Sequence, residues 1–107
     1  MRIYVTALQM VRSVAALSRK VQRHDLDLAR QMRRACMSVP LNISEGNGCF
    51  DGNRRLRFQT AMGSARETLA CLQVAVAVGY VAKAEVAADA DRLDHIVAVL
   101  WKLSRPR

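Results

Sequence analysis

Phe58-Gln-Thr-Ala-Met-Gly-Ser-Ala-Arg-Glu-Thr-Leu-Ala-Cys-Leu-Gln-Val-Ala-Val-Ala-Val-Gly79 decides the fold. Phe58, Met62, Ala65, Leu69, Leu72 and Val76 recur at alternating intervals of four and three, the heptad spacing of a helix that buries one seam against its neighbours. Gly79 stops the run as a left-handed cap, with Tyr80 folding back on the last turn. Residues 70–78 are apolar on nearly every face, more than a helix of an isolated four-helix bundle needs. The simplest cover for the outer side is another copy of the chain, with Leu72, Val74, Val76 and Val78 as the expected contact residues. Ala61, Gly63, Ala70, Ala75 and Ala77 are small enough to allow close helix approach.

Outward from this segment, helical periodicity continues in both directions. Ile3, Ala7, Leu8, Val11, Val14, Ala15, Leu17 and Val21 predict an amphipathic helix over about residues 3–22, closed by Arg19, Lys20 and Arg23 at the negative end of its dipole. Asp25 or Asp27 caps a second helix whose stripe is Leu28, Met32, Ala35, Val39 and Ile43. Pro40 removes the hydrogen bond to the Cys36 carbonyl and crowds that turn, so a kink or a short break is expected there. The helix should resume and end near Gly46, with Asn47-Gly48 and Asp51-Gly52 supplying turn chemistry. A fourth helix over about 83–103 carries Val86, Ala90, Leu93, Val97 and Leu100, widened by Ile96 and Leu103. Glu85 in its first turn and Lys102 and Arg105 at its end suit the dipole, and Asp89 with Arg92 reads as a surface pair one turn apart. The predicted fold is all-α, one domain over residues 1–107: an up-down-up-down antiparallel four-helix bundle, its second helix kinked or broken near Pro40.

Composition agrees with this. A chain of 107 residues with 51% hydrophobic and only 5% aromatic residues is long enough for one core and poor in the residues that build β-sandwiches. Its formal charge is +8, from 17 Lys and Arg against 9 Asp and Glu. The whole excess lies in residues 1–66, which hold 12 basic and 4 acidic side chains, while residues 67–107 hold 5 of each. Arginine supplies 14 of the 17 cations, and its planar fork suits phosphate better than a lysine does. Such a balance favours a polyanionic partner.

Cys36, Cys49 and Cys71 form no CxxC pair, and their odd number suits a reducing, cytoplasmic chain. Gln9 and Arg12 interrupt the apolar stretch a signal peptide requires, and no apolar run is long enough for a membrane span. Catalytic signatures are missing. Glutamates are few, His24 and His95 stand in no Glu-x-x-His pair, and no phosphate-binding or nucleophile-elbow glycine motif occurs. Cys36 and Cys71 fall on or beside apolar faces, where packing is their expected role. No enzyme activity, metal or cofactor is expected.

The informative anomaly is Arg54-Arg55-Leu56-Arg57 at the start of the third helix. Cations there oppose the positive end of the dipole, at a cost of about 0.3–1 kcal/mol each, and an external anion reverses that sign. Glu45 and Asp51 could instead neutralise them. A second cluster gathers Arg19, Lys20, Arg23, Arg30, Arg33 and Arg34 around the first inter-helix turn, partly offset by Asp25 and Asp27. Arg30 and Arg34, one turn apart, repel each other unless something negative lies across them. Two basic ends about 30 Å apart along a 20-residue helix can follow a nucleic-acid backbone. Phe50 is the one aromatic well placed to stack on a base, so phosphate contact without sequence readout is expected. In the Pro40 to Gly46 stretch, Asn42 and Glu45 are expected to satisfy backbone donors or an arginine.

Three stretches then stand out together: Gln31-Met-Arg-Arg-Ala-Cys-Met-Ser-Val-Pro-Leu-Asn-Ile-Ser-Glu-Gly-Asn-Gly48, Ala61-Met-Gly-Ser-Ala-Arg-Glu67 and Val78-Gly-Tyr-Val81. They resemble the four-helix-bundle family of 23S rRNA intervening-sequence proteins, whose pattern is R-R-A-x-x-S-[IV]-P-x-N-I-A-E-G, then A-x-G-S-x-x-E, then L-G-Y-[IL]. Ser44 replaces the usual Ala, and Ala82 stands where a Ser or Thr cap is common. The resemblance implies a bundle that assembles into a ring, commonly a homopentamer. The accessory proteins of diversity-generating retroelements look like relatives; by that analogy a basic pentamer would bind nucleic acid and a reverse transcriptase. Five copies of +8 make +40, which polyanions or salt must neutralise.

Two functions are therefore expected in competition. One is a non-enzymatic, homo-oligomeric module that contacts RNA or DNA phosphates through its arginine clusters. The other is an assembly scaffold whose partner is a protein with acidic segments.

Overall fold

In a computed structural model of the protein, residues 1–105 are described, Asp51 by its backbone alone. They form four helices: α1 (Arg2–Gln22), α2 (Leu26–Asn47), α3 (Asp51–Ala77) and α4 (Lys83–Ser104). Packing follows chain order, α1 on α2, α2 on α3 and α3 on α4, and α1 closes against α4 around a body of 44 × 21 × 19 Å. Each helix turns its apolar stripe inward. Ile3, Ala7, Met10, Val14 and Val21 of α1 meet Ala29, Met32, Cys36, Val39 and Ile43 of α2, with Phe58, Leu72, Leu93, Ile96 and Leu100 among the largest fully buried side chains.

Asp25 is the α2 cap: its carboxylate accepts from the Leu28 amide at 2.9 Å, while Asp27 sits in the first turn where the dipole favours it. No break occurs at Pro40. The helix runs through it from Leu26 to Asn47, because Val39, Pro40 and Ile43 are all buried and hold both sides of the missing bond against the core. The turn after α2 is also shorter than its glycines suggested. Asn47 belongs to α2, and Asp51 and Gly52 form the first turn of α3, leaving only residues 48–50 between the helices. Gly and Asn cost little in a first helical turn, whose amides have no intrahelical partner in any case.

Gly46 is required for a different reason. A Cβ built there would lie 2.5 Å from Cε1 of Phe58, so the glycine lets α2 and α3 approach with the phenyl ring between them.

At the other end of α3 the helix closes in a Schellman motif. Gly79 has φ +82°, its amide donates to the Val76 carbonyl at 3.0 Å, and the Tyr80 amide donates to the Ala75 carbonyl at 2.9 Å. Tyr80 then stacks on His24, with ring centroids 5.0 Å apart, which ties the α3–α4 connection to the α1–α2 turn. Replacing Gly79 by Ala is expected to cost about 1–2 kcal/mol in urea denaturation, the penalty of a Cβ in the left-handed region, and Asn there should cost less. An alanine variant as stable as the parent would show that the cap tolerates another backbone.

Candidate nucleic-acid interface

Three polar contacts join helices across the inner surface. Asp89 occupies a stripe position of α4 between Val86 and Leu93 and is 1% exposed. Its carboxylate accepts from Ser13 Oγ at 2.5 Å and from Arg92 Nη1 at 2.9 Å. The expected surface pair is therefore corrected: Asp89 faces α1, and two donors satisfy the charge it carries into the interior. Ser18 of α1 is likewise buried; its hydroxyl donates to the Ala15 carbonyl at 2.6 Å and accepts from Arg33 Nη1 at 3.1 Å.

The third contact joins α2 to α3. Ser64 Oγ donates to Ser38 Oγ at 2.8 Å, and Asn42 Nδ2 donates to both the Ser38 carbonyl at 2.9 Å and its hydroxyl at 3.0 Å. Asn42 thus serves a carbonyl and a hydroxyl, not the backbone donors expected for it. Glu45 is exposed, and among the described residues it enters no ion pair.

With Ser38 and Asn42 held this way, the outer surface of α2 carries an open groove of about 520 Å³, lined by Arg30, Arg33, Arg34, Met37, Ser38, Leu41 and Asn42. Arg33 is half-buried and steadied by Ser18, whereas Arg30 and Arg34 are exposed. No carboxylate lines the groove. Met37 and Leu41, one turn apart, are 47% and 65% exposed beside the guanidiniums. Sequence reading missed these two because they lie off the inward stripe; two large apolar side chains in successive turns next to three arginines were the available signal.

The other expected site residues are placed less uniformly. Lys20 is engaged across the bundle by Glu85 at 2.6 Å, and this hydrogen bond, with the ammonium charge, holds the Glu85 carboxyl below its usual range. Arg19 and Arg23 are exposed near the end of α1 and do not line the groove. Arg54 lies over the buried Phe58 ring, 4.8 Å from its centroid, while Arg55 and Arg57 are exposed on the first turns of α3. Phe50 precedes them, also exposed. Whether Asp51 offsets these cations lies outside the described residues.

Of the four expected contact residues on α3, Leu72 is fully buried and Val76 packs partly against the core, so both belong to the bundle's own interior. Val74 and Val78 do face outward, 48% and 54% exposed. The heptad seam takes Leu72 and Val76 inward by the same periodicity that identified the helix.

Burial pushes the Cys36 thiol up to about 11 and raises that of Cys71, so neither is a thiolate near neutral pH. Among the described residues no three His, Cys, Asp or Glu side chains gather in a metal-holding group, and no helix is long and apolar enough to cross a membrane.

The fold is shared with a protein of unknown function from the S23 ribosomal protein family of Bacteroides thetaiotaomicron, known from a crystal structure: TM-score 0.89 at 15% identity, covering 97% of this chain and 99% of the other. No curated protein matches the chain. The family model for the 23S rRNA-intervening sequence protein matches residues 1–102, nearly the full length and with it α1, α2, the groove, α3 and most of α4. The chain belongs to the 23S rRNA-intervening sequence protein family.

Proposed function

We propose that the protein is a non-enzymatic, homo-oligomeric module that binds the phosphate backbone of RNA or DNA in the reducing cytoplasm. The observation that carries this reading is the groove in which Arg30, Arg33 and Arg34 converge with no carboxylate among its lining residues. Three guanidiniums within five residues of one helix repel one another unless an anion lies across them. The family and the Bacteroides relative both bear names tied to ribosomal material, which agrees with RNA as that anion. Three free cysteines suit the compartment.

The bundle that presents the groove alternates in direction, up-down-up-down, in this reading. Residue pairs support it: Lys20 meets Glu85 while Ser13 meets Asp89, and Gly46 meets Phe58 while Ser38 meets Ser64, so partners run in opposite chain order. A bend at Pro40 accompanies the missing Pro40 donor, which leaves the Cys36 carbonyl without its helical partner. Self-association, as a ring of five by family resemblance, would cover Val74 and Val78.

Fluorescence anisotropy of a labelled RNA across a salt series tests the function. Binding should weaken steeply as salt rises, since each neutralised phosphate releases counterions. Arg30→Ala with Arg34→Ala should weaken it at least tenfold. Binding that is indifferent to salt, or a partner that persists in pull-downs after nuclease treatment, would replace this reading with the acidic-protein scaffold.

A further inference from the structure

We infer that the α2 groove takes a single-stranded segment, its phosphates on Arg30, Arg33 and Arg34 and an unstacked base against Met37 and Leu41. This rests on the nucleic-acid reading above and adds which form of nucleic acid the site accepts.

The groove divides lengthwise. Its N-terminal part is cationic, and one turn further on it becomes apolar, with Met37 and Leu41 exposed on the same face. From Arg30 to Asn42 is twelve residue steps, about 18 Å along the helix axis, room for a few nucleotides. A duplex can use the first part only. Its bases are stacked face to face, so nothing apolar is available to lie on Met37 and Leu41, and their exposure is unrelieved. A single strand presents phosphate and base face at once and can use both parts. Met is well suited to the second, because its unbranched thioether adapts to a flat surface of any base. Asn42 donates its amide hydrogens to Ser38 and so has none left for a base acceptor, which favours contact with base faces over reading of base edges.

An acidic amphipathic helix is the competing occupant, and the shape of the groove disfavours it. Every lining residue comes from α2, so the groove has the side chains of one helix for walls. A helix docks into a trough formed between elements, whereas a flexible strand can wrap along a single ridge.

Anisotropy with a labelled twelve-nucleotide oligouridine and a twelve-base-pair RNA duplex at equal salt tests this. The parent protein should bind the single strand at least tenfold more tightly. Arg30→Ala with Arg34→Ala should weaken both ligands and reduce the single-strand salt slope by about 1.4, two phosphates' worth. Arg33 is left in place because it also holds Ser18. Met37→Ser with Leu41→Ser, both exposed and therefore benign to the fold, should weaken the single strand about fivefold, leave its salt slope unchanged and leave the duplex unaffected. Equal affinity for the two ligands, or an unchanged single-strand affinity in the Met37/Leu41 variant, overturns the inference and leaves the nucleic-acid reading standing. Binding of neither ligand by the parent overturns both.

Discussion

Phe58→Ala should cost the bundle about 4 kcal/mol, the range for emptying a fully buried aromatic site. The sharper expectation concerns its partner. Gly46→Ala alone puts a methyl where Phe58 Cε1 and Cδ1 already lie, at 2.5 and 2.7 Å, and the ring is enclosed and cannot swing clear. Overpacking of this kind costs about 1–3 kcal/mol, partly offset by the ~1 kcal/mol that Ala gains over Gly in a helix. In the double variant the clash is gone, the methyl fills part of the cavity and the helical gain remains. Gly46→Ala is therefore destabilising in the parent and stabilising, by about 1 kcal/mol, on the Phe58→Ala background. Urea denaturation of the four proteins at one fixed concentration reads this directly, concentration being held because any self-association would shift the midpoints. Simple additivity of the two single effects would show that the ring and the glycine do not confront each other.

Asp89→Ala is expected to destabilise by about 2–3 kcal/mol, and the loss has two sources. Ser13 loses the acceptor that joins α1 to α4, and Arg92 loses its counter-charge in a half-buried setting. The figure sits at the low end for a broken buried pair because the Arg92 side chain is 34% exposed and can rehydrate. Asp89→Asn retains an acceptor for Ser13 and should recover part of the loss. The same denaturation series checks both, and an Asp89→Ala protein as stable as the parent would show that the carboxylate is solvated after all.

Much of this architecture was legible in the chain. The heptad run from Phe58, a capping aspartate at Asp25 or Asp27 and the glycine stop at 79 are local signals, each set by the geometry of one helical turn; all three stand in the structure, which selects Asp25 as the cap. The candidate site was half legible. Arg30, Arg33 and Arg34 are neighbours on a helix whatever it packs against, so their grouping follows from spacing alone. Sequence reading grouped Arg19, Lys20 and Arg23 with them, and placement separates these: Lys20 turns across the bundle to Glu85, and the other two do not line the groove. Leu72 and Val76 were expected at a contact surface because residues 70–78 are apolar all round, yet their places in the heptad seam already send them inward, and it is Val74 and Val78, off that seam, that stay exposed.

The sequence by itself determined the four helices, their approximate ends, the positive first half and the family. Those depend on interactions within a turn or two of chain, or on summed charge. Only the tertiary structure decided what lies opposite what. Gly46 is intolerant because Phe58 arrives from another helix. Asp89 is interior because Ser13 stands across from it. Ser38 is braced by Ser64 from α3 and by Asn42 from its own helix, and Met37 and Leu41 lie outside with three arginines. Burial is a property of pairs of helices and not of one, and the face α2 keeps free becomes readable once its neighbours have taken the others.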